Sequence, residues 1–260
     1  MIIDSHCHLN ILPVERLGDT EQVIKTAADL GVERMMCVAI GPDKWQEVIE
    51  LADRHPQVYA SIGIHPCSDK TVSATDEEIL QVARHPKVLA IGEVGLDYFH
   101  QSPDQVDLSF QKARFRQHIA IAKQLDKPLV IHTRASTPDV LQILRDEGAD
   151  QVGGIMHCFV EDLATAERAI ELGFYISFSG ILTFKNAKEL KAVAQALPLD
   201  RILVETDAPY LAPAPYRSKI NQPGYTRYVV EELARLRDLP FEQVAQVTTE
   251  NFCRLFKLPY

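Results

Sequence analysis

The sequence predicts a single-domain (β/α)8 TIM barrel over residues 1–260, on three observations. Eight short runs rich in Val, Ile, Leu and Ala recur along the chain, separated by longer stretches with helical spacing of apolar residues. Most of these runs lack clean alternation, the pattern of strands buried on both faces in a parallel sheet covered by helices. Eight such units in about 250 residues match the size of a closed eight-stranded barrel.

The strand runs are 1–5, 34–40, 58–64, 88–93, 128–132, 152–157, 173–178 and 201–206. A helix over Thr20–Leu30 stops at Gly31, a residue suited to the left-handed turn after a helix. Asp43 is placed to cap a helix reaching about Arg54, and Thr75 with Glu78 reads as a capping box. Both of these helices close with His-Pro, at His55-Pro56 and His85-Pro86, and a strand follows each time. His55 and His85 are therefore structural, at the beginnings of strands. The longest helix candidate runs from Asp104 to Gln124, and the longest irregular stretch from Ala208 to Gln222.

Composition narrows the class. At 46% hydrophobic residues the chain can bury a full core. No apolar run is long enough to span a bilayer and no leader pattern opens the sequence, so a soluble cytoplasmic protein is expected, with a monomer as the default. The five cysteines are scattered without a Cys-x-x-Cys pair, which predicts reduced thiols. A net charge of -9 excludes a broad basic surface for nucleic acid, so such a substrate would need local cations.

The chemistry starts at Asp4-Ser5-His6-Cys7-His8, where two imidazoles share a face at the end of the first run. All strand C-termini of a barrel lie on one rim, where active sites sit. His65 follows strand three, Glu93, His132 and His157 end strands four, five and six, and Asp207 follows strand eight, so all converge there. Imidazole and carboxylate ligands without thiolate suit Zn, Mn, Mg or Fe, and six candidates exceed what one tetrahedral ion needs. The expectation is two divalent ions: His6, His8 and Asp207 on one, His132 and His157 on the other, and Glu93 bridging. Such a pair supports hydrolysis by an activated water, with Asp207 also orienting or deprotonating it. Glu205 projects on the same side as Asp207, as a hydrogen-bond partner for a ligand imidazole or as a buried structural acid. Arg134 is placed to bind a phosphate oxygen. Cys7 and Cys158 are expected to point away from the ligands, and His100 and His118 to be solvated. Nucleophile-elbow, phosphate-loop and dinucleotide motifs are absent.

The stretches Asp4-Ser5-His6-Cys7-His8-Leu9, Gly63-Ile64-His65-Pro66, Ile91-Gly92-Glu93-Val94-Gly95-Leu96-Asp97-Tyr98, Val130-Ile131-His132-Thr133-Arg134, His157-Cys158-Phe159 and Glu205-Thr206-Asp207-Ala208-Pro209-Tyr210-Leu211 resemble, in order, the motifs of the TatD family of metal-dependent deoxyribonucleases. The resemblance implies a two-metal site (Zn, Mg or Mn) and hydrolysis of phosphodiester bonds in DNA, as a 3'-5' exonuclease on single strands. It makes His65 a contact to the substrate phosphate or leaving group, with a structural histidine as the alternative. The segment Tyr216 to Pro223 is similar to an Arg-Gly-Lys-x-Asn-x-Pro loop, with Ser218 at the glycine position. Arg217 and Lys219 are then either steering cations or a solvated pair. Many relatives among the wider amidohydrolase-like barrels carry a lysine where this chain has Glu93, which favours the nuclease branch. Two other readings stay open: an amidohydrolase or esterase using the same site, and a non-catalytic metal-stabilised protein.

Overall fold

Eight parallel strands pair in the order of the sequence: β1 (Ile2–Cys7), β2 (Val32–Val38), β3 (Val58–Ile62), β4 (Val88–Asp97), β5 (Leu129–Arg134), β6 (Gly154–Met156), β7 (Phe174–Phe178) and β8 (Ile202–Val204). The computed structural model describes residues 1–100 and 108–260. The helices among them are α1 (Val14–Leu17), α2 (Thr20–Asp29), α3 (Pro42–Arg54), α4 (Asp76–Ala83), α5 (Ser109–Leu125), α6 (Thr137–Asp146), α7 (Leu163–Glu171), α8 (Lys188–Ala196), α9 (Thr226–Arg237) and α10 (Phe241–Leu255). This is the (β/α)8 barrel that the alternation of runs predicts. No helix among the described residues is long and apolar enough to cross a membrane.

The local signals act where the sequence puts them, with one displacement. Thr75 and Glu78 form the reciprocal capping box of α4, and Gly31 turns the chain after α2 at φ 83°. At the two His-Pro stops, the carbonyls of His55 and His85 accept the amides of Val58 and Val88, the first residues of the next strands. Asp43, expected as a cap, lies inside the first turn of α3. Pro42 already occupies the first helical position and Gly41 the cap, because proline needs no partner there and its φ suits a helix. Helix α5 begins at Ser109, and the residues 104–107 included in its expected span lie outside the described residues.

Two apolar layers hold the barrel. One packs the strands against the helices. The other joins Ile3, Met36, Val38, Ala90, Val130, Ile155, Tyr175 and Leu203, and is closed by Phe252 of α10 and by Phe256 directly after it. A set drawn from seven strands that meet one another is the barrel interior, so α10 seals the bottom and leaves the strand C-termini open. The seam between β1 and β8 is closed by Asp207 N–H donating to His6 O (2.9 Å) and His8 N–H donating to Ala208 O (2.8 Å). Candidate ligands thus also complete the barrel.

Candidate metal centre

Two strands change register just before they deliver a ligand. Between Asp4 and Cys7, β1 spends one more residue than β2, and between Ile91 and Val94, β4 spends one more than β5. Each extra residue is a bulge that re-aims the following side chains, so Glu93 faces the mouth above the apolar interior and the buried His6 faces Glu93. Further along β4, Gly95 has φ 140° and a Cβ there would lie 2.0 Å from the His132 carbonyl oxygen. Only glycine lets β4 run this close beside the strand that carries His132.

The site is centred on Glu93, which is buried, and its two oxygens face different neighbours. Oε2 lies 3.4 Å from His6 Nε2 and 3.8 Å from His8 Nε2. Oε1 lies 2.9 Å from His132 Nδ1, 3.2 Å from His157 Nε2 and 3.4 Å from His65 Nε2. On the first side, Asp207 Oδ1 is 3.4 Å from His8 Nε2 and 3.9 Å from His6 Nε2, and the two Nε2 atoms are 3.4 Å apart.

The second nitrogen of each ring determines what the first can do. His8 Nδ1–H donates to the Val38 carbonyl (2.8 Å), His157 Nδ1–H to Glu205 Oε1 (2.8 Å), and His132 Nε2–H to Asp97 Oδ2 (2.9 Å). With the proton held on that side, the lone pair of the other nitrogen points at Glu93 or Asp207. His65 has the reverse arrangement. Its Nδ1 accepts the Cys67 amide (3.0 Å), so the neutral ring carries its proton on Nε2 and presents a donor to the mouth. His6 stacks on His157 with ring centroids 3.6 Å apart, and its buried Nδ1 has no partner.

Lone pairs that face carboxylate oxygens need a cation between them, a proton or a metal. Without metal, protons take that part. Burial opposes charge on His157, but Glu205 and Glu93 outweigh it and raise the ring well above the usual histidine range. Burial likewise opposes ionisation of Glu93, yet His157 and His65 hold it well below the usual carboxylate range. His8 is raised against burial by Asp207, and His132 against burial by Asp97 and Glu93. Burial and the neighbouring His157 lower His6.

These residues fit divalent metal. Ligands bonded to one tetrahedral ion at 2.0–2.1 Å sit about 3.3 Å from one another, close to the His6–Glu93, His157–Glu93 and His8–Asp207 separations of 3.4, 3.2 and 3.4 Å, whereas His132–Glu93 at 2.9 Å is at hydrogen-bond length. His6, His8 and Asp207 form one set of close donors, and His6, Glu93 and His157 another; His65, Glu93 and His132 form a third.

His8, His65, Glu93, His132, His157 and Asp207 open on one cavity of about 580 Å³, lined also by Arg134, Cys158 and Tyr210, with His6 buried behind them. Arg134 is exposed, with its guanidinium 4.9 Å from the exposed Phe99 ring. Arg217 stacks on Phe184 at 3.4 Å, and both it and Lys219 are exposed. Ser218 does not adopt a positive φ, so this loop needs no glycine at that position.

Two sequence expectations are corrected, those for Cys158 and His118. Cys158 lines the cavity instead of turning away, because β6 ends at Met156 and Cys158 itself has φ 45°, which breaks the alternation. His118 is buried within α5, with Nδ1–H donating to the Arg114 carbonyl. His100 is exposed, as expected, and its Nδ1 lies 2.8 Å from Asp97 Oδ2 on the cavity wall. Cys7 is buried against the Met36 carbonyl, as expected. Sequence reasoning passed over Asp97. The signal was its place four residues beyond Glu93 on a continuing strand, which puts both on one face.

A parallel barrel with facing histidines and carboxylates at its strand ends belongs to the metal-dependent hydrolase barrels. Comparison with known proteins narrows this. The family described as TatD related DNase matches residues 3–257. The chain is 42% identical to the uncharacterized metal-dependent hydrolase YabD of Bacillus subtilis over 99% of this chain and 100% of that one. It is 43% identical to the uncharacterized metal-dependent hydrolase YcfH of Escherichia coli K12, over 99% of this chain and 96% of the relative. The crystal structure of YJJV, a TatD homologue from Escherichia coli K12, superposes with a TM-score of 0.91 at 30% identity, covering 99% and 98% of the two chains. The chain belongs to the TatD family and is a metal-dependent hydrolase.

Proposed function

We propose that the protein is a deoxyribonuclease that hydrolyses phosphodiester bonds of single-stranded DNA from the 3' end, in the cytoplasm and as a monomer. The observation that carries this reading is the company kept by the candidate metal-ligand cluster: one mouth also holds Arg134, His65 and the exposed ring of Tyr210, with the exposed Phe99 ring beside Arg134. Cation, donor and stacking surface are what a single strand offers phosphate, leaving oxygen and base to meet. The family description as DNase points the same way.

In this reading His6, His8 and Asp207 hold one divalent ion (Zn, Mg or Mn), His132 and His157 hold another, and Glu93 touches both. Two such ions would acidify a shared water and neutralise charge on the phosphate and leaving oxygen. The side chains supply the rest. Asp207 receives the proton of the attacking water, and Glu205 keeps the His157 lone pair aimed inward through its 2.8 Å bond. His65 donates from Nε2 to the phosphate or leaving oxygen, and Arg134 holds a non-bridging oxygen. Arg217 and Lys219 steer the strand, offsetting the net charge of -9.

The test is release of mononucleotides from end-labelled single-stranded DNA with Mg2+, Mn2+, Zn2+ or chelator, beside a His132→Ala/Asp207→Ala control. Metal-dependent loss from the 3' end that vanishes in the control is expected. Metal binding without cleavage of DNA or RNA would overturn the nuclease reading and direct the search to ester and amide substrates.

A further inference from the structure

A second set of donors meets on the same rim. Cys67 comes from the segment after β3, Asp97 ends β4, and His100 follows three residues later, with one ligand atom of each lying within 4.8 Å of the others. Asp97 is buried, while Cys67 and His100 are exposed and line the cavity. Asp97 Oδ1 is occupied by the amides of Phe99 and His100, which fixes the carboxylate, and Oδ2 faces the His100 ring. No residue of this trio belongs to the Glu93 cluster.

We propose that Cys67, Asp97 and His100 form a third divalent-cation site, selective for a borderline-soft ion such as Zn2+ or Co2+. Sulfur, imidazole nitrogen and one carboxylate are donors that such ions favour, whereas Mg2+ selects oxygen. Binding breaks the Cys67 S–H bond and forms a metal–sulfur bond, and the proton leaves to solvent. Three protein ligands leave a position open towards the cavity. The site is also coupled to its neighbour. Asp97 Oδ2 accepts His132 Nε2–H at 2.9 Å, so an ion on Asp97 draws on the charge that orients His132 and weakens binding on that side of Glu93. The proposal holds whatever bond the enzyme hydrolyses.

The experiment uses the full chain, stripped by chelator and titrated with Co2+, reading near-ultraviolet thiolate-to-cobalt charge transfer and the ion content at saturation. The wild type is compared with Cys67→Ser and His100→Asn, both at exposed positions. The wild type is expected to show the charge-transfer band and to hold one equivalent more than either variant. Absence of the band in the wild type, its persistence in Cys67→Ser, or equal ion content in all three proteins would each overturn the site.

Discussion

Histidines at the two ends of this barrel differ in where their second nitrogen goes. At the strand starts, His85 uses Nδ1 to accept the Lys87 amide, and its Nε2 lies 3.5 Å from the exposed Asp53. At the strand ends, His8, His132 and His157 each give a proton to a fixed acceptor, Val38 O, Asp97 or Glu205, and keep a lone pair for the mouth. The residue type is the same; the acceptor behind it frees a lone pair for the mouth. His65 sharpens the contrast, since it stands on the rim but is wired like His85, with Nδ1 accepting an amide. That wiring leaves Nε2 as its donor.

The largest break in the comparison comes from Glu93→Gln, which removes the charge both sets of imidazoles face. Hydrolysis is expected to fall at least about 1,000-fold, roughly 4 kcal/mol in the barrier, with loss of bound metal. Steady-state rates and elemental analysis check it. Next is His118, a histidine with no place in either group. Burial pushes it down to about 4 from 6.5, so the unfolded chain takes up a proton that the native state refuses. Its contribution is complete above pH 6.5 and is lost as the pH falls towards 4, about 3 kcal/mol in all. Urea midpoints at pH 7 and pH 4.5, compared between wild type and His118→Leu, measure that part of the loss.

Glu205→Gln keeps the shape behind His157 but removes the acceptor's charge. Metal affinity is expected to drop about 10–100-fold with the fold intact, as read by competition with a chelating dye. The smallest effect belongs to the other end. His85→Ala should leave metal content unchanged and cost no more than about 1 kcal/mol, read from a denaturant midpoint.

The barrel was legible because both-face-buried strands and their helix stops are written as local composition, and the cluster of candidate ligands because each member follows such a run. The His-Pro stops and the Thr75–Glu78 box needed no tertiary information. What stayed hidden depends on register. The extra residues in β1 and β4 have no sequence mark of their own, and the φ of 45° at Cys158 undid an argument from alternation. Strand four runs on to Asp97, and that extension brings Asp97 behind His132 and beside His100. His118 was misplaced for a related reason. Helical position alone does not say which face the neighbouring helix covers.

The central claim is that Glu93 would be shared by two ions. Electron paramagnetic resonance of the protein loaded with two equivalents of Mn2+ tests it most directly. An exchange-coupled pair in the wild type, lost in Glu93→Gln, is the predicted result. Two equivalents bound as isolated, uncoupled Mn2+ in the wild type would contradict it.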